Sequence, residues 1–353
     1  MEKVDDLIGR HAPMNRRSFL KLSGLLGLGA TAVGIIPAKA EAVRFDKKTT
    51  KVSTTRLAMG TFVSMTLIHP SKDEAEEAMG RAFNEIDRLS GVLSRFDAAT
   101  AVALLNKEGY VKDLPEEVIQ VVSRSLYYHK VSGGNFDITV KPVVDLFREG
   151  IEGEKKSLPT EKEITELLKL VGSDKIELRG RSIHFTRPGM GITLDGIAKG
   201  FIVDRASQIL DGHKIENHLI NAGGDIRTKG TKGDNRRWTV AIQDPLKKNN
   251  YPDIIHMRDG AIATSGNYEV YYDREKMFHH IVNPRTGLSP RLTTSVSVIA
   301  NTTMEADALS TSVFVMNPSE GARFVDTLPS CECLIMADDG TLTKSKGWKS
   351  RAI

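Results

Sequence analysis

A strand pair bent at Met59-Gly60-Thr61 and followed at once by a long amphipathic helix sets the strongest constraint on this chain. Residues 51–68 read as the two strands. Over residues 72–93, Ala75, Ala78, Met79, Ala82, Phe83, Ile86 and Leu89 recur at helical spacing with charges between them. One stripe of that helix must therefore be buried.

The rest of the chain continues that reading. A helix is expected from Pro115-Glu116-Glu117 to about Lys130, stopped by Gly133-Gly134. Thr160-Glu161-Lys162-Glu163 has the form of a capping box and opens a helix to about Val171. Residues 175–187 resemble a hairpin, and a helix follows from about Gly196 to Asp211. Strands are expected at 217–222, 237–243, 254–264 and 293–299. Helices follow over Met304–Met316 and near 320–327, before the last strands. Residues 149–160, rich in Gly, Glu and Lys, read as a surface loop. Strands and helices mix without regular βαβ alternation, so the predicted class is α+β, with mixed or antiparallel sheets and packed helices.

Residues 1–40 read as an address rather than a fold. Asn15-Arg16-Arg17-Ser18-Phe19-Leu20-Lys21 precedes a Gly/Ala/Leu-rich run, and Ala38-Lys39-Ala40 closes it. A charged start, an apolar centre and an A-x-A end make a cleavable signal, and the paired arginines are of the twin-arginine type. The expectation is an exported protein with its body in 41–353, in the periplasm or otherwise outside the cytoplasm. A leader left uncleaved would tie it to the membrane, although the run is short and Gly-rich for a spanning helix. Of 49 basic and 45 acidic residues, six and three lie in this leader. The body, with 43 and 42, is nearly neutral, so no basic face is implied and nucleic acid is not an expected partner. Cys331 and Cys333 lie in an apolar strand-like stretch. A bridge across one intervening residue would be strained, and core packing is the expected role.

Several short patterns could carry chemistry. Asp307 and Thr311 are four apart, which puts carboxylate and hydroxyl on one helix face. They suit a hard cation such as Mg²⁺, or else a helix-start Asp and a Thr bonded back to a carbonyl. Asn221-Ala222-Gly223-Gly224-Asp225, Thr264-Ser265-Gly266-Asn267 and Asn283-Pro284-Arg285-Thr286-Gly287 are turns that let backbone approach a phosphate, or plain turns. Asp195-Gly196-Ile197-Ala198-Lys199-Gly200 opens a helix after a strand, a natural phosphate site that Lys199 could complete. His279-His280 offers a proton acceptor near neutral pH or a structural pair. Neither common nucleotide-binding loop is present, no Ser-His-Asp or Cys-His order stands out, and no His/Cys set has zinc spacing.

The order of these blocks is more specific than any one of them. Met59-Gly60-Thr61, Gly134-Asn135-Phe136-Asp137, Gly196-Ile197-Ala198-Lys199-Gly200 with Asp204, Asn221 to Asp225, Thr264-Ser265-Gly266, His280 to Gly287 and Ala306 to Thr311 together resemble the FAD:protein FMN transferase (ApbE) family, over roughly residues 50–350. The resemblance implies an ApbE-like fold and Mg²⁺-dependent transfer of FMN from FAD to a Thr or Ser hydroxyl of a target flavoprotein, releasing AMP. It implies Gly196, Asp307 and Thr311 as metal ligands, and His280 and Asp307 as catalytic residues, with His280 the candidate base. It also implies Met59, Phe96, Asn135, Phe136, Asp137, Thr193, Lys199, Ser265 and Gly266 as contacts to FAD. The family usually has Asp-Pro-x-Thr-Gly where this chain has Asn283-Pro284-Arg285-Thr286-Gly287, and some relatives carry Asp where Thr193 stands. An FAD pyrophosphatase giving FMN and AMP would use the same site, whereas an exported protein that only binds FAD would not need the Asp307/Thr311 pair.

Overall fold

In the computed structural model, residues 41–44, 48–152, 158–245, 251–267, 279 and 281–349 are described. The leader and His280 lie outside them. Residues Ala40–Ile353 make one compact unit.

Fourteen strands are present among the described residues: β1 (Glu41–Arg44), β2 (Thr50–Ala58), β3 (Thr61–His69), β4 (Tyr110–Val111), β5 (Ile176–Arg179), β6 (Ser182–Phe185), β7 (Asn217–Ala222), β8 (Asp225–Lys229), β9 (Trp238–Ala241), β10 (Ile254–Met257), β11 (Gly260–Gly266), β12 (Thr293–Ala300), β13 (Glu332–Ala337) and β14 (Leu342–Lys344). The helices are α1 (Lys72–Val92), α2 (Ala101–Glu108), α3 (Glu116–Val131), α4 (Lys141–Glu152), α5 (Glu161–Leu168), α6 (Ala198–Gly212), α7 (Thr303–Phe314) and α8 (Pro318–Val325). Nine strands form one sheet in the order β1-β2-β3-β7-β8-β11-β12-β13-β14. Every neighbouring pair in it is antiparallel. The fold is α+β.

The opening hairpin and helix set the frame. Met59 and Gly60 both take positive φ, 52° and 73°, and two such residues match the right-handed twist of the strands they join. Leu57 and Phe62 then face each other across the ladder. Ser71 caps α1 by accepting a hydrogen bond from Glu74 N at 3.3 Å, and all seven apolar residues of its stripe are buried. With α6 and α7, α1 packs against one face of the large sheet. The other face is covered in part by the β9–β10 hairpin, where Val240, Ile242, Ile255 and Met257 meet Ile226, Ile262, Leu334 and Trp348. A small sheet, β4-β6-β5, stands apart.

Thr160 and Glu163 form the expected capping box, with Thr160 N donating to Glu163 Oε2 at 2.8 Å. Three expectations need correction. Residues 254–264 are two strands in two sheets, β10 and β11, because Gly260 turns the chain at a φ of 149°. Residues 149–152 close helix α4 rather than open a loop, since α4 packs its apolar face on Val171 and Val282. The helix opened by Thr160 stops at Leu168, ahead of the left-handed-side backbone of Gly172 (φ 141°). Cys331 and Cys333 are free and buried, and burial pushes both thiols up to about 12. No helix of the described residues is long and apolar enough to cross a membrane.

Candidate active site

Two helices that cross in contact build the centre of the site. A Cβ on Gly200, in the first turn of α6, would lie 2.4 Å from the carbonyl oxygen of Thr303. Only glycine permits that approach. The same approach lets Gly200 N donate to Asp307 Oδ2 at 3.0 Å, which holds the carboxylate of α7 against the start of α6. One turn on, Thr311 meets the Asp195-Gly196 turn: a Cβ on Gly196 would be 2.9 Å from Thr311 Oγ1. Ser265 Oγ lies 2.8 Å from Ser310 Oγ and 3.3 Å from Thr311 Oγ1. The spacing of Asp307 and Thr311 is therefore used to aim both groups at one place.

The N-terminus of α7 is closed to ligands. Its first amides, on Thr303 and Met304, donate to the two oxygens of Asp204 at 2.9 Å each. Glu305 N donates to the Thr302 hydroxyl and Ala306 N to the Thr302 carbonyl. The amides of Thr303, Met304 and Glu305, which no carbonyl of the helix itself can serve, are thus matched by side chains. Burial pushes the Asp204 carboxyl up, against the opposing pull of those two amides. Asp204 is thus the pin that fixes the helix bearing Asp307 and Thr311.

One cleft gathers Asn135, Phe136, Asp137, Thr193, Asp195, Gly196, Lys199, Asp225, Thr264, Ser265, Pro284, Asp307 and Thr311. Lys199 Nζ lies 3.5 Å from Asp225 Oδ2. Asp137 lines the cleft, but its carboxylate serves the loop. Oδ1 accepts from Thr139 N, Thr139 Oγ1 and Ser173 Oγ, and Oδ2 accepts from Ser173 N at 2.9 Å. His129 Nδ1 stands 3.1 Å from Oδ2 and 3.0 Å from the Phe136 carbonyl. Burial would raise the Asp137 carboxyl, but the hydrogen bonds from His129, Thr139 and Ser173 outweigh it and hold it below the usual carboxylate range. The same bond raises His129, against the effect of burial. Asn135 donates to the Ser132 carbonyl at 2.7 Å.

The remaining expected contacts lie off the inner wall. Met59 packs partly buried on the core at the hairpin turn, beside the Gly223 turn, whose Cβ would be 2.4 Å from Thr61 Oγ1. Gly266 ends β11 opposite Ser295. Phe96 is 62% exposed, and its ring lies under the Arg95 guanidinium at 4.4 Å. Of the histidine pair, only His279 is described. It is buried and structural: its Nδ1 accepts from Ile281 N, its Nε2 donates to the Pro290 carbonyl, and its amide donates to Ser289 Oγ. Sequence reading takes Asp195 and Asp225 only as members of the Asp195–Gly200 and Asn221–Asp225 blocks, with no role of their own, and does not reach Arg95. The only signal for Asp225 is its place after Gly223-Gly224, and Arg95 has none.

The donor set is all oxygen: the Asp307 carboxylate, the Thr311 and Ser265 hydroxyls and the backbone of Gly196. No group of three or more His, Cys, Asp or Glu able to hold a metal occurs among the described residues. One carboxylate with hydroxyl and backbone oxygen fits Mg²⁺, which takes its remaining ligands from phosphate and water. The close contact that excludes a Cβ at Gly196 places its backbone within this set.

A large antiparallel sheet with packed helices, and one cleft that gathers this oxygen set and a lysine, define an α+β protein. The chain belongs to the ApbE family, whose sequence profile matches residues 59–335. The FAD:protein FMN transferase of Haemophilus influenzae is 30% identical over 262 residues, 72% of this chain and 74% of that protein. The FAD:protein FMN transferase of Vibrio cholerae is 31% identical over 230 residues, covering 64% of this chain and 68% of its own. Among solved structures, the ApbE protein of Thermotoga maritima superposes with a TM-score of 0.77 at 29% identity, over 84% of this chain and 97% of that one.

Proposed function

We propose that this protein is an FAD:protein FMN transferase that moves FMN from FAD onto a Thr or Ser hydroxyl of a target flavoprotein and releases AMP. The observation that carries the proposal is the convergence of Asp307, Thr311, Gly196 and Lys199 in one cleft, in a chain of the ApbE family. The start of α6 favours anionic oxygens there through its dipole. Lys199, 3.5 Å from Asp225 and on the wall of the same cleft, would offer its ammonium to the pyrophosphate. Asp307 and Thr311 would hold Mg²⁺ with the Gly196 backbone. When bound, that ion supplies neutralisation of charge on the phosphates.

The acceptor hydroxyl oxygen forms a bond to the FMN phosphorus. The bond from that phosphorus to the bridging oxygen breaks, and AMP leaves with the electron pair. The hydroxyl proton passes to a base, for which the family resemblance offers His280. Catalysis is mainly positioning and charge stabilisation, as in other phosphoryl transfers. The twin-arginine pattern of residues 1–40 supports a reaction outside the cytoplasm, and an uncleaved leader would hold the enzyme at the membrane.

The test mixes the purified protein with FAD, Mg²⁺ and an acceptor domain bearing an exposed Thr, and follows intact mass and released nucleotide. The expected result is one FMN gained by the acceptor with matching AMP, abolished by EDTA. Free FMN and AMP at the same rate without acceptor would replace transfer by hydrolysis. FAD bound but unchanged would leave a binding protein.

A further inference from the structure

Arg95 is a buried guanidinium three residues past the end of α1, with its side chain 7% exposed. Nη1 donates to Asp145 of α4 at 3.1 Å, and Nη2 donates to Asp195 at 3.3 Å. Its flat face stacks on the Phe96 ring at 4.4 Å, and Arg148 approaches the same ring at 5.8 Å. Asp145 is itself held by Lys141 and Arg148. One planar fork thus ties three segments distant in sequence, a geometry that a lysine ammonium does not reproduce. Arg95 Nε is buried and makes no hydrogen bond among the described residues.

The segments it ties have different tasks. Asp195 lines the cleft and directly precedes Gly196, whose backbone abuts Thr311. Phe96 presents an exposed aromatic ring. We propose that Arg95 is a positioning residue that joins Phe96 and the Asp195-Gly196 turn into one unit, so that binding of an aromatic nucleotide and binding of Mg²⁺ at Gly196 and Thr311 favour each other. The inference rests on the function proposed above. Ordering the turn for the cation orders the ring platform for the nucleotide, and by linkage the effect is reciprocal.

The test is a flavin-fluorescence titration of FAD into the full-length protein, with and without Mg²⁺. The wild type should bind FAD about tenfold more tightly with Mg²⁺, the order of a common coupling free energy. Arg95→Met should reduce that ratio to about twofold or less. Arg95→Lys, which keeps the charge and serves where the Met variant does not fold, should lose most of the ratio as well. Asp195→Asn should lower it, with no further loss in the double variant. A purely structural arginine would lower Tm and leave the ratio unchanged, and that result overturns the inference, as does a wild-type ratio of one or additive effects of the two substitutions. A wild type that binds no FAD instead overturns the function proposed above.

Discussion

Asp137 carries a charge deep in the wall of the cleft, and its five donors explain how it can. Burial of a carboxylate is unfavourable unless hydrogen bonds replace its water. Here Thr139, Ser173 and His129 do so from three segments, and the net effect lowers the carboxyl and raises the imidazole. The signs give a pH window. The raised His129 contributes stability that is present below its unfolded value, about pH 6.5, and is lost as pH rises through the higher folded one. The lowered Asp137 contributes above its unfolded value, about pH 3.9, and loses that as pH falls through the lower folded one. The pair is therefore most stabilising between about pH 4 and pH 6.5. His129→Asn should destabilise by about 2 kcal/mol near the top of that window and by less well above it, as read from urea midpoints at each pH. A second residue-scale prediction concerns the thiols. Cys331 and Cys333 are buried, and their thiols are pushed up to about 12, so the thiolate that reacts is scarce. A thiol reagent at mildly alkaline pH should label neither in the native protein, and both after unfolding. Rapid labelling of the native state would contradict their place in the core.

The crossing of α6 and α7 is the element on which the site depends. Gly200 sets its closeness, and Asp204 and Thr302 fix the start of α7. Gly200→Ala would push a methyl group into the backbone of Thr303 and Met304, neither of which can swing aside as a side chain tip could. The expected cost is about 2 kcal/mol or more in urea unfolding. The displaced α7 should also weaken Mg²⁺-dependent thermal stabilisation in the folded fraction. A variant with unchanged stability would show that the two helices do not meet as described. At this scale much was legible in the sequence. The apolar stripe of α1, the turn at Met59-Gly60 and the capping box at Thr160 are local patterns, and local patterns are written in consecutive residues. Helix α2 was not read, because Ala101 to Glu108 is only two turns and just Val102 and Leu105 of it are buried. Helix α4 was missed for a related reason: its seat against Val171 and Val282 is set by packing from other segments.

For the whole molecule, one nine-stranded antiparallel sheet brings to a single cleft residues that stand up to 176 positions apart, from Asn135 to Thr311. The Asp307/Thr311 pair could be read from its helical spacing, and Lys199 from its place at a helix start. The resemblance over residues 50–350 supplied their common purpose, which spacing alone left open. What could not be read were contacts across distance. Arg95 and Asp195 are 100 residues apart, and nothing local to either marks the other. Asp225 sits in a turn motif, but its 3.5 Å approach to Lys199 exists only once β8 and α6 are assembled. Asp137 lines the cleft, yet its oxygens are engaged by Thr139, Ser173 and His129, a role that composition does not reveal. The account as a whole turns on Asp307, whose carboxylate accepts from Gly200 N and lines the cleft with Thr311. The decisive measurement is the single-turnover rate of covalent FMN appearing on an acceptor, by intact mass, for wild type and for Asp307→Asn at saturating FAD and Mg²⁺. Asn keeps an oxygen for Gly200 N, so circular dichroism should show the fold intact. The account predicts a rate lower by about 100-fold or more, close to 3 kcal/mol of transition-state stabilisation. A folded Asp307→Asn variant that transfers FMN at the wild-type rate would contradict it.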